Sequence, residues 1–290
     1  MTTNPLRIVT FNFLPIAYRS LTNWIKEAGH THVLAVTTPG PKSRPTPSYI
    51  DVVGAAPRNV DVLVTTRLRK VATPLIRELK PDLITCFSFP YRITPELCEI
   101  PTYGAVNLHP AVLPAYRGPN VMRQFYDGAS VFGATAHWIA EEYDTGRILS
   151  QKSAPMPDEV TPETVFPTWG MLIAQAIAEG MEKAIAGEPG WEQDDAQVTY
   201  AAPYTEEERW LDWQDPCQVL QRKVTGLNMV GAGYAKAKVG EETIRIFDLK
   251  IVANEVGEGV PGKLLERTDE GMVVQAMDGV VRIQTQPLEE

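Results

Sequence analysis

The first half of the chain alternates between strand-like and helix-like segments, and this alternation restricts the possible folds more than any other feature. Apolar, β-branched runs predict strands at Leu6–Phe11, His32–Thr37, Val60–Thr65, Leu83–Phe87, Tyr103–Leu108, Val131–Trp138 and Arg147–Ser153. Apolar residues at helical spacing predict helices at Ala17–Ala28, Arg69–Leu79 and Thr168–Ala186, the last closed by Gly187. This order predicts an α/β fold with a parallel sheet covered by helices on both faces.

Composition divides the chain into a first domain at 1–187, a linker at 188–204 and a second domain at 205–290. The linker is predicted because Gly, Pro and acidic residues occur there without periodicity. In the second domain, Asp215 and Pro216 predict the N-cap and first turn of a helix. Asp278-Gly279, between two alternating runs, predicts a β-hairpin. The second domain is therefore predicted to be a small helix-plus-β-barrel.

The end of the strand before Pro110 carries an unusual group of polar residues. Asn107 and His109 are two residues apart, so on a strand they share one face, and Asp144 follows in a loop. Open α/β sheets place their sites at the carboxyl ends of strands. An amide can stabilise a developing oxyanion, while an imidazole and a carboxylate can transfer protons. These three residues are the predicted catalytic group, suited to attack on a carbonyl.

Longer motifs around these residues extend the pattern. They read Asn107-Leu-His-Pro-Ala-Val-Leu-Pro-Ala-Tyr-Arg-Gly118, Gly133-Ala-Thr-Ala-His137 and Asp144-Thr-Gly146. In order and spacing they resemble the folate-dependent formyltransferase family, in the two-domain form of the methionyl-tRNA formyltransferases. The resemblance implies a Rossmann-like first domain, a formyltransferase C-terminal-like second domain, and 10-formyltetrahydrofolate as formyl donor and co-substrate. It also implies transfer of the formyl group to an amine. Whether His109 or Asp144 is the general base stays open.

The resemblance also implies binding residues. The loops on either side of the donor's pterin ring would contain Phe87, Phe89, Tyr91, Arg92, Ile93, Glu141 and Tyr143. The acceptor side would contain Phe11, Asn12, Phe13, Arg117 and Gly118. A structural role for His137 is as plausible as a role in the site. Arg117-Gly118 either seats an anion at the helix near Asn120–Tyr126 or forms a simple helix cap.

The identity of the amine is predicted from departures from the family's motifs and from the net charge of the chain. Phe11-Asn12-Phe13 replaces the Gly-Thr-Pro turn of methionyl-tRNA formyltransferases, and the following Pro-rich loop has only Lys42 and Arg44 as basic residues. The formal net charge is −9, unlike a typical nucleic-acid binder. A small-molecule amine, such as an amino sugar or a modified amino acid, is therefore the leading acceptor.

Three alternatives stay open. Methionyl-tRNA is favoured by the second domain. A formyltetrahydrofolate deformylase is less favoured, because those relatives carry an additional N-terminal domain. A non-catalytic folate-binding protein is also less favoured. Cys86, Cys98 and Cys217 lack the spacing of a metal or disulfide framework, so no metal is predicted. Without a signal-peptide pattern or a long apolar run, the sequence predicts a cytoplasmic protein with no membrane partner. The sequence leaves the oligomeric state open.

Overall fold

The computed structural model describes residues 4–40, 48–229, 234–253, 259–269 and 271–287. The chain forms two compact units, each assembled from separate stretches. The first unit comprises Met1–Arg117, Gly133–Ser153 and Gly170–Thr199; the second comprises Gly118–Phe132, Ala154–Trp169 and Tyr200–Glu290. The contiguous domain limits drawn from the sequence stay a prediction. Most of the predicted Pro-rich loop, with Lys42 and Arg44, lies outside the described residues.

A seven-stranded sheet runs through the first part of the chain in the order β3-β2-β1-β4-β5-β6-β7. Its strands are β1 (Arg7–Asn12), β2 (Thr31–Thr37), β3 (Asp61–Val64), β4 (Leu83–Phe87), β5 (Ala105–His109), β6 (Val131–Trp138) and β7 (Ile148–Pro155). All five residues of β4 are buried. A continuous apolar run is typical of a central strand that is covered on both faces, and the alternating segments confirm the α/β prediction.

The prediction of a wholly parallel sheet is wrong from β6 onward. The pairs β3-β2, β2-β1, β1-β4 and β4-β5 are parallel, but β5 and β6 are antiparallel, with Asn107 opposite His137. A parallel return needs a crossover that covers the sheet, usually a helix, whereas an antiparallel neighbour does not. The chain between β5 and β6 forms only the four-residue helix at Arg123–Tyr126. The sheet is therefore mixed.

The helices are α1 (Pro15–Glu27), α2 (Ser48–Ala55), α3 (Thr73–Leu79), α4 (Pro95–Cys98), α5 (Arg123–Tyr126), α6 (Pro162–Ile185) and α7 (Cys217–Asn228). Helix α1 confirms its prediction and buries Leu21, Trp24 and Ile25. Helix α6 begins six residues before the predicted Thr168 (168 − 162 = 6), since Pro162 is tolerated in the first turn of a helix. A π-helical segment at Leu68–Ala72 precedes α3.

Two large apolar clusters lie in the core of the first unit. One includes Ile8, Leu21, Leu83, Leu108, Ala136, Leu149 and Ile177. The other includes Val9, Phe11, Val36, Ile76, Ile84, Ile93 and Leu97. Neighbouring residues of β1 and of β4 enter different clusters, because successive side chains of a strand point to opposite faces. The strand ends that carry Asn107 and His109 therefore rest on a core packed from both sides.

The second unit contains α7 and an antiparallel sheet in the order β10-β11-β12-β9-β8. Its strands are β8 (Ala235–Val239), β9 (Glu242–Ala253), β10 (Leu264–Thr268), β11 (Gly271–Gln275) and β12 (Val280–Pro287). The predicted hairpin is confirmed, with Gln275 opposite Val280. Among the described residues, β8 and β10 are the edges of an open strand order rather than neighbours in a closed barrel.

The predicted cap of helix α7 is wrong. Pro216 occupies the N-cap position with no side-chain hydrogen bond, and Asp215 instead accepts a hydrogen bond from Lys223 Nζ at 2.6 Å. The backbone N–H of Cys217, which has no acceptor within the helix, donates to Asp278 Oδ1 at 2.7 Å. The hairpin aspartate thus satisfies an unpaired donor of the first helical turn. This hydrogen bond joins residues 61 apart in sequence, so no local pattern could have predicted it.

Two kinds of feature are missing from the part of the chain that the structure describes. No helix there has the length and apolar character that a membrane span requires. No group of three or more His, Cys, Asp or Glu residues in the same ranges is arranged to hold a metal ion.

Candidate active site

Strand β5 carries two of the predicted catalytic residues, and its register brings further polar residues beside them. Asn107 lies opposite His137 of β6, and His109 lies opposite Thr135. Thr135 Oγ1 donates to the carbonyl of Ala111 at 2.8 Å and accepts from the backbone N–H of Leu113 at 3.1 Å. The strand pairing therefore fixes both the predicted catalytic side chains and the start of the loop that follows them.

The Asn107 amide is held by two acceptors. His137 Nδ1 lies 2.8 Å from the carbonyl of Trp138, which can only accept, so Nδ1 carries a proton. In the neutral ring, Nε2 is then the acceptor and lies 3.1 Å from Asn107 Nδ2. Asn107 Nδ2 also donates to Asp144 Oδ1 at 3.4 Å. His137, which is 2% exposed, thus orients the amide and belongs to the site.

His109 is placed between two acceptors. Its Nε2 donates to the carbonyl of Tyr116 at 2.8 Å, and its Nδ1 lies 3.5 Å from Asp144 Oδ2. An imidazole has protons on both ring nitrogens only when it is charged. Burial lowers the pKa of His109, the carboxylate of Asp144 raises it, and His137 lowers it further. The His109–Asp144 pair therefore suits the transfer of a proton.

Asp144 comes to this position on a strained loop. Its φ is 58°, in the left-handed region that non-glycine residues rarely adopt. Its side chain is 11% exposed, and it faces Asn107, His109 and His137. The structure thus brings the predicted catalytic residues together in one partly buried cluster. Their roles in a reaction stay a prediction.

Sequence reasoning left His137 undecided and did not identify Gln193. The backbone carbonyls of Asp144 and Gly146 each accept from Gln193 Nε2 at 2.8 Å. Gln193 lies in the segment that was predicted to be a linker. The alternation Thr135-Ala-His137 was a signal that His137 shares a strand face with Thr135. No sequence signal pointed to Gln193, because its partners are more than 40 residues away.

The residues predicted to bind the donor occupy two kinds of environment. Phe87 and Ile93 are almost fully buried in the core. Phe89 stands edge-on to Tyr91 and to Phe11, with ring centroids 5.9 and 5.2 Å apart. The remaining three are more exposed: Arg92 Nη2 lies 3.4 Å from Glu141 Oε1, and Tyr143 is 57% exposed. The Arg92–Glu141 ion pair connects the two loops that the resemblance assigns to the pterin ring.

The residues predicted to bind the acceptor are mostly buried. Phe11, Asn12 and Phe13 are each no more than 3% exposed, and Asn12 Nδ2 donates to the carbonyl of Phe87 at 3.1 Å. Asn12 therefore joins the ends of β1 and β4. Arg117, 7% exposed, donates from Nη2 to Gln193 Oε1 at 2.7 Å. Gly118 belongs to the second unit and has a φ of 111°.

Comparisons with known families match both parts of the chain. The family described as formyl transferase matches residues 62–168, and the family described as formyl transferase, C-terminal domain matches residues 203–290. The chain is 30% identical to a methionyl-tRNA formyltransferase of Geobacter sulfurreducens over 292 aligned residues, covering 98% of this chain and 90% of that protein.

Two further proteins are similar. A methionyl-tRNA formyltransferase of Moorella thermoacetica is 32% identical over 206 residues, which is 70% of this chain but only 65% of that relative, just under two thirds of its length. Among solved structures, the N-formyltransferase of Helicobacter canadensis, in complex with folinic acid and dTDP-3-aminofucose, superposes with a TM-score of 0.67 at 14% identity. This superposition covers 98% of this chain and 100% of the other, and at this identity it supports the fold alone.

Proposed function

Since this chain belongs to the formyl transferase family, we propose that it is an enzyme that transfers a formyl group from 10-formyltetrahydrofolate to an amine. The observation that carries this proposal is the convergence of Asn107, His109 and Asp144 on one partly buried cluster. An amide donor beside an imidazole–carboxylate pair is the equipment that attack on a carbonyl needs.

In the proposed reaction, the nitrogen of the amine attacks the formyl carbon and a C–N bond forms. The formyl oxygen becomes an oxyanion, which accepts a hydrogen bond from Asn107 Nδ2. The longer of that amide's two contacts, at 3.4 Å to Asp144, is the one to be replaced. One such donor contributes on the order of 3–4 kcal/mol to the transition state. His137 keeps the other N–H occupied and the amide in place.

The proton balance then involves His109 and Asp144. The attacking amine loses a proton to this pair, and the N10 nitrogen of the folate leaves with a proton as the old C–N bond breaks. The products are an N-formyl amine and tetrahydrofolate. Since both ring nitrogens of His109 face acceptors, the pair can hold the proton between the two steps. The choice between His109 and Asp144 as the base stays open.

The donor is proposed to lie against the loops that contain Phe89, Tyr91 and Tyr143. A flat heteroaromatic ring needs apolar walls with a few polar groups at its edge. The edge-on rings of Phe89 and Tyr91 provide an apolar wall, and the Arg92–Glu141 pair adds charge. The folinic acid bound by the Helicobacter canadensis enzyme is consistent with this class of ligand.

We place methionyl-tRNA first among the acceptors, which reverses the order expected from the sequence. The Moorella and Geobacter relatives are both named for it. The second unit also has a basic–aromatic strip, defined here as Tyr234, Lys236, Arg245 and Phe247. The Arg245 guanidinium lies 4.2 Å from the Tyr234 ring centroid and 4.6 Å from that of Phe247. Cation–aromatic contacts occur in many proteins, and basic and aromatic side chains placed together are also what single-stranded nucleic acids bind.

A small-molecule amine is the second candidate. The formal net charge of −9 opposes attraction to a polyanion, and Glu206 Oε1 already pairs with Lys236 Nζ at 2.5 Å in the strip. Asn12 is committed to the carbonyl of Phe87, where tRNA-acting relatives have a Gly-Thr-Pro turn. The amino sugar in the Helicobacter canadensis complex is an example of this acceptor class.

One assay separates the candidates. The purified protein would be given 10-formyltetrahydrofolate with either initiator methionyl-tRNA or a nucleotide-linked amino sugar. Tetrahydrofolate release and the mass of the acceptor would both be measured. We expect release only with the tRNA, matched by one added formyl group. Release without any formylated amine would instead indicate a deformylase. If no release occurs with any amine, the proposed function is wrong.

A further inference from the structure

Gln193 connects the two loops that hold the catalytic pair. Its Oε1 accepts from Arg117 Nε at 3.1 Å and from Arg117 Nη2 at 2.7 Å. Its Nε2 donates to the carbonyls of Asp144 and Gly146, both at 2.8 Å. All these residues belong to the first compact unit. One side chain therefore joins the loop after β5 to the loop that contains Asp144.

The chemistry of these partners admits only a neutral amide at position 193. Arginine can only donate and backbone carbonyls can only accept, so the bridging side chain must have an acceptor at one end and two donors at the other. Both protons and both lone pairs of the Gln193 amide are used in this way. Its orientation is thereby fixed. A carboxylate of the same shape would place an oxygen against two carbonyl oxygens.

Both ends of this bridge matter to the catalytic pair. At one end is the carbonyl of Asp144, whose left-handed backbone costs free energy unless neighbouring contacts hold it. At the other end is Arg117, which directly follows Tyr116, the residue whose carbonyl accepts from His109 Nε2. Thr199 reinforces this end, because its Oγ1 accepts from the backbone N–H of Tyr116 at 2.9 Å and its carbonyl from that of Arg117 at 3.0 Å.

We propose that Gln193 is a positioning residue that sets the distance between His109 and Asp144. This inference rests on the proposed function, since it assigns the residue to the same reaction. The segment predicted to be a linker would then be part of the catalytic unit. Gln193 touches no reacting atom in this scheme and acts only through the two loops. A misplacement of about 1 Å can cost on the order of a hundredfold in rate.

Two variants test the bridge from different sides. Gln193→Ala removes all its hydrogen bonds, and Gln193→Glu keeps the contact with Arg117 but removes the donors to Asp144 and Gly146. We expect each to lower kcat by between about tenfold and a hundredfold, with KM for the donor changed less than about threefold. Wild-type kcat in Gln193→Glu would contradict the need for a neutral amide and overturn the proposal.

The matched control is Gln197→Ala. Gln197 lies in the same segment and is exposed, and its Nε2 donates to Asp194 Oδ2 at 2.8 Å, away from the catalytic loops. We expect this variant to keep wild-type kcat and KM. Should Gln197→Ala and Gln193→Ala lose activity equally, the segment would act by general stability, and the assignment to Gln193 would be wrong.

The titration of His109 provides a measurement that needs no substrate. The chain has four histidines, so their imidazole NMR signals can be followed separately and the His109 signal assigned with His109→Ala. The ionisable groups acting on this ring are Asp144, which raises its pKa, and His137, which lowers it. In Gln193→Ala we expect the His109 midpoint to move to lower pH, because Asp144 moves away.

The two measurements separate the two kinds of failure. An inactive wild-type protein whose His109 midpoint still shifts in Gln193→Ala would refute the proposed function and keep the positioning role. An active wild-type protein with an unshifted midpoint and unchanged kcat in Gln193→Ala would refute the positioning role alone. A general loss of packing would lower Tm without moving the midpoint in the protein that remains folded, and would likewise overturn the proposal.

Discussion

The two units of the molecule use polar side chains in opposite ways. In the first unit, His109, His137 and Asp144 are nearly buried and face fixed partners. In the second, Phe247 of the basic–aromatic strip is 39% exposed, and Tyr234, Lys236 and Arg245 are partly exposed. Buried polar groups must be satisfied by hydrogen bonds, so their geometry is confined to one arrangement. A partly exposed strip has fewer fixed partners, so its geometry is less constrained. The contrast teaches that the proposed chemistry is defined by the structure in more detail than the proposed acceptor.

Substitutions in the proposed catalytic cluster test this comparison most directly. Asn107→Ala, His109→Ala and Asp144→Ala should each reduce kcat by about a hundredfold or more, because each removes a positioned acid, base or oxyanion donor. Donor affinity should change much less, since none of the three is among the residues proposed to contact the pterin ring. Single-turnover assays with a saturating acceptor measure this. Asp61→Asn, at the exposed start of β3, is the control expected to keep full activity. A variant of the three with normal turnover would remove that residue from the site.

Folate binding would sharpen the assignment of the first unit. The stable analogue 5-formyltetrahydrofolate should raise Tm, because a ligand that binds only the folded state stabilises it by about 2.7 kcal/mol at a concentration of 100 times Kd. Thermal unfolding against ligand concentration measures the effect. The absence of both a Tm shift and calorimetric binding at millimolar ligand would contradict the donor assignment.

Acid sensitivity should also differ between the units, since all four histidines lie in the first one. Burial lowers the pKa of His32 to about 4, and its Nε2 lies 3.0 Å from Thr10 Oγ1. An unfolded histidine binds its proton near pH 6.5, so stability is present above that pH and is lost as pH falls toward about 4.

The corresponding variant is His32→Gln. Between pH 7 and pH 4, its unfolding free energy should fall by on the order of 2–3 kcal/mol less than that of the wild type. Each pKa unit corresponds to about 1.4 kcal/mol. Urea unfolding between pH 4 and 7 measures this. A variant whose stability falls with acid as steeply as the wild type would exclude His32 as the cause.

The smallest expected effect concerns the second unit. Arg245→Ala should reduce kcat/KM for methionyl-tRNA by about threefold to tenfold, since a partly exposed cation–aromatic contact contributes roughly 0.5–1 kcal/mol and one phosphate contact is lost with it. The salt dependence of tRNA binding should become shallower. Arg267→Ala is the control, because Arg267 pairs with Glu242 at 2.6 Å elsewhere on the same sheet. Equal activity of both variants with tRNA would favour a small amine.

Sequence alone determined the strands of the first sheet and the central motif. Strand alternation, the Asp278-Gly279 hairpin and the face shared by Asn107 and His109 are local properties, set by side-chain period and turn chemistry within a few residues. The same locality explains the errors. The prediction of a cap at Asp215 did not include Asp278, and the prediction of a parallel sheet did not include the antiparallel β6. Both contacts join residues that become neighbours only after folding.

Tertiary structure alone decided how the site is held. His137 reaches Asn107 through the pairing of two strands, and Gln193 reaches Asp144 across 49 residues of chain. Both contacts satisfy polar groups that are partly withdrawn from water, where an unmade hydrogen bond costs about 1–3 kcal/mol. The segment predicted to be a linker includes Gln193, whose hydrogen bonds join it to Arg117, Asp144 and Gly146 of the first unit.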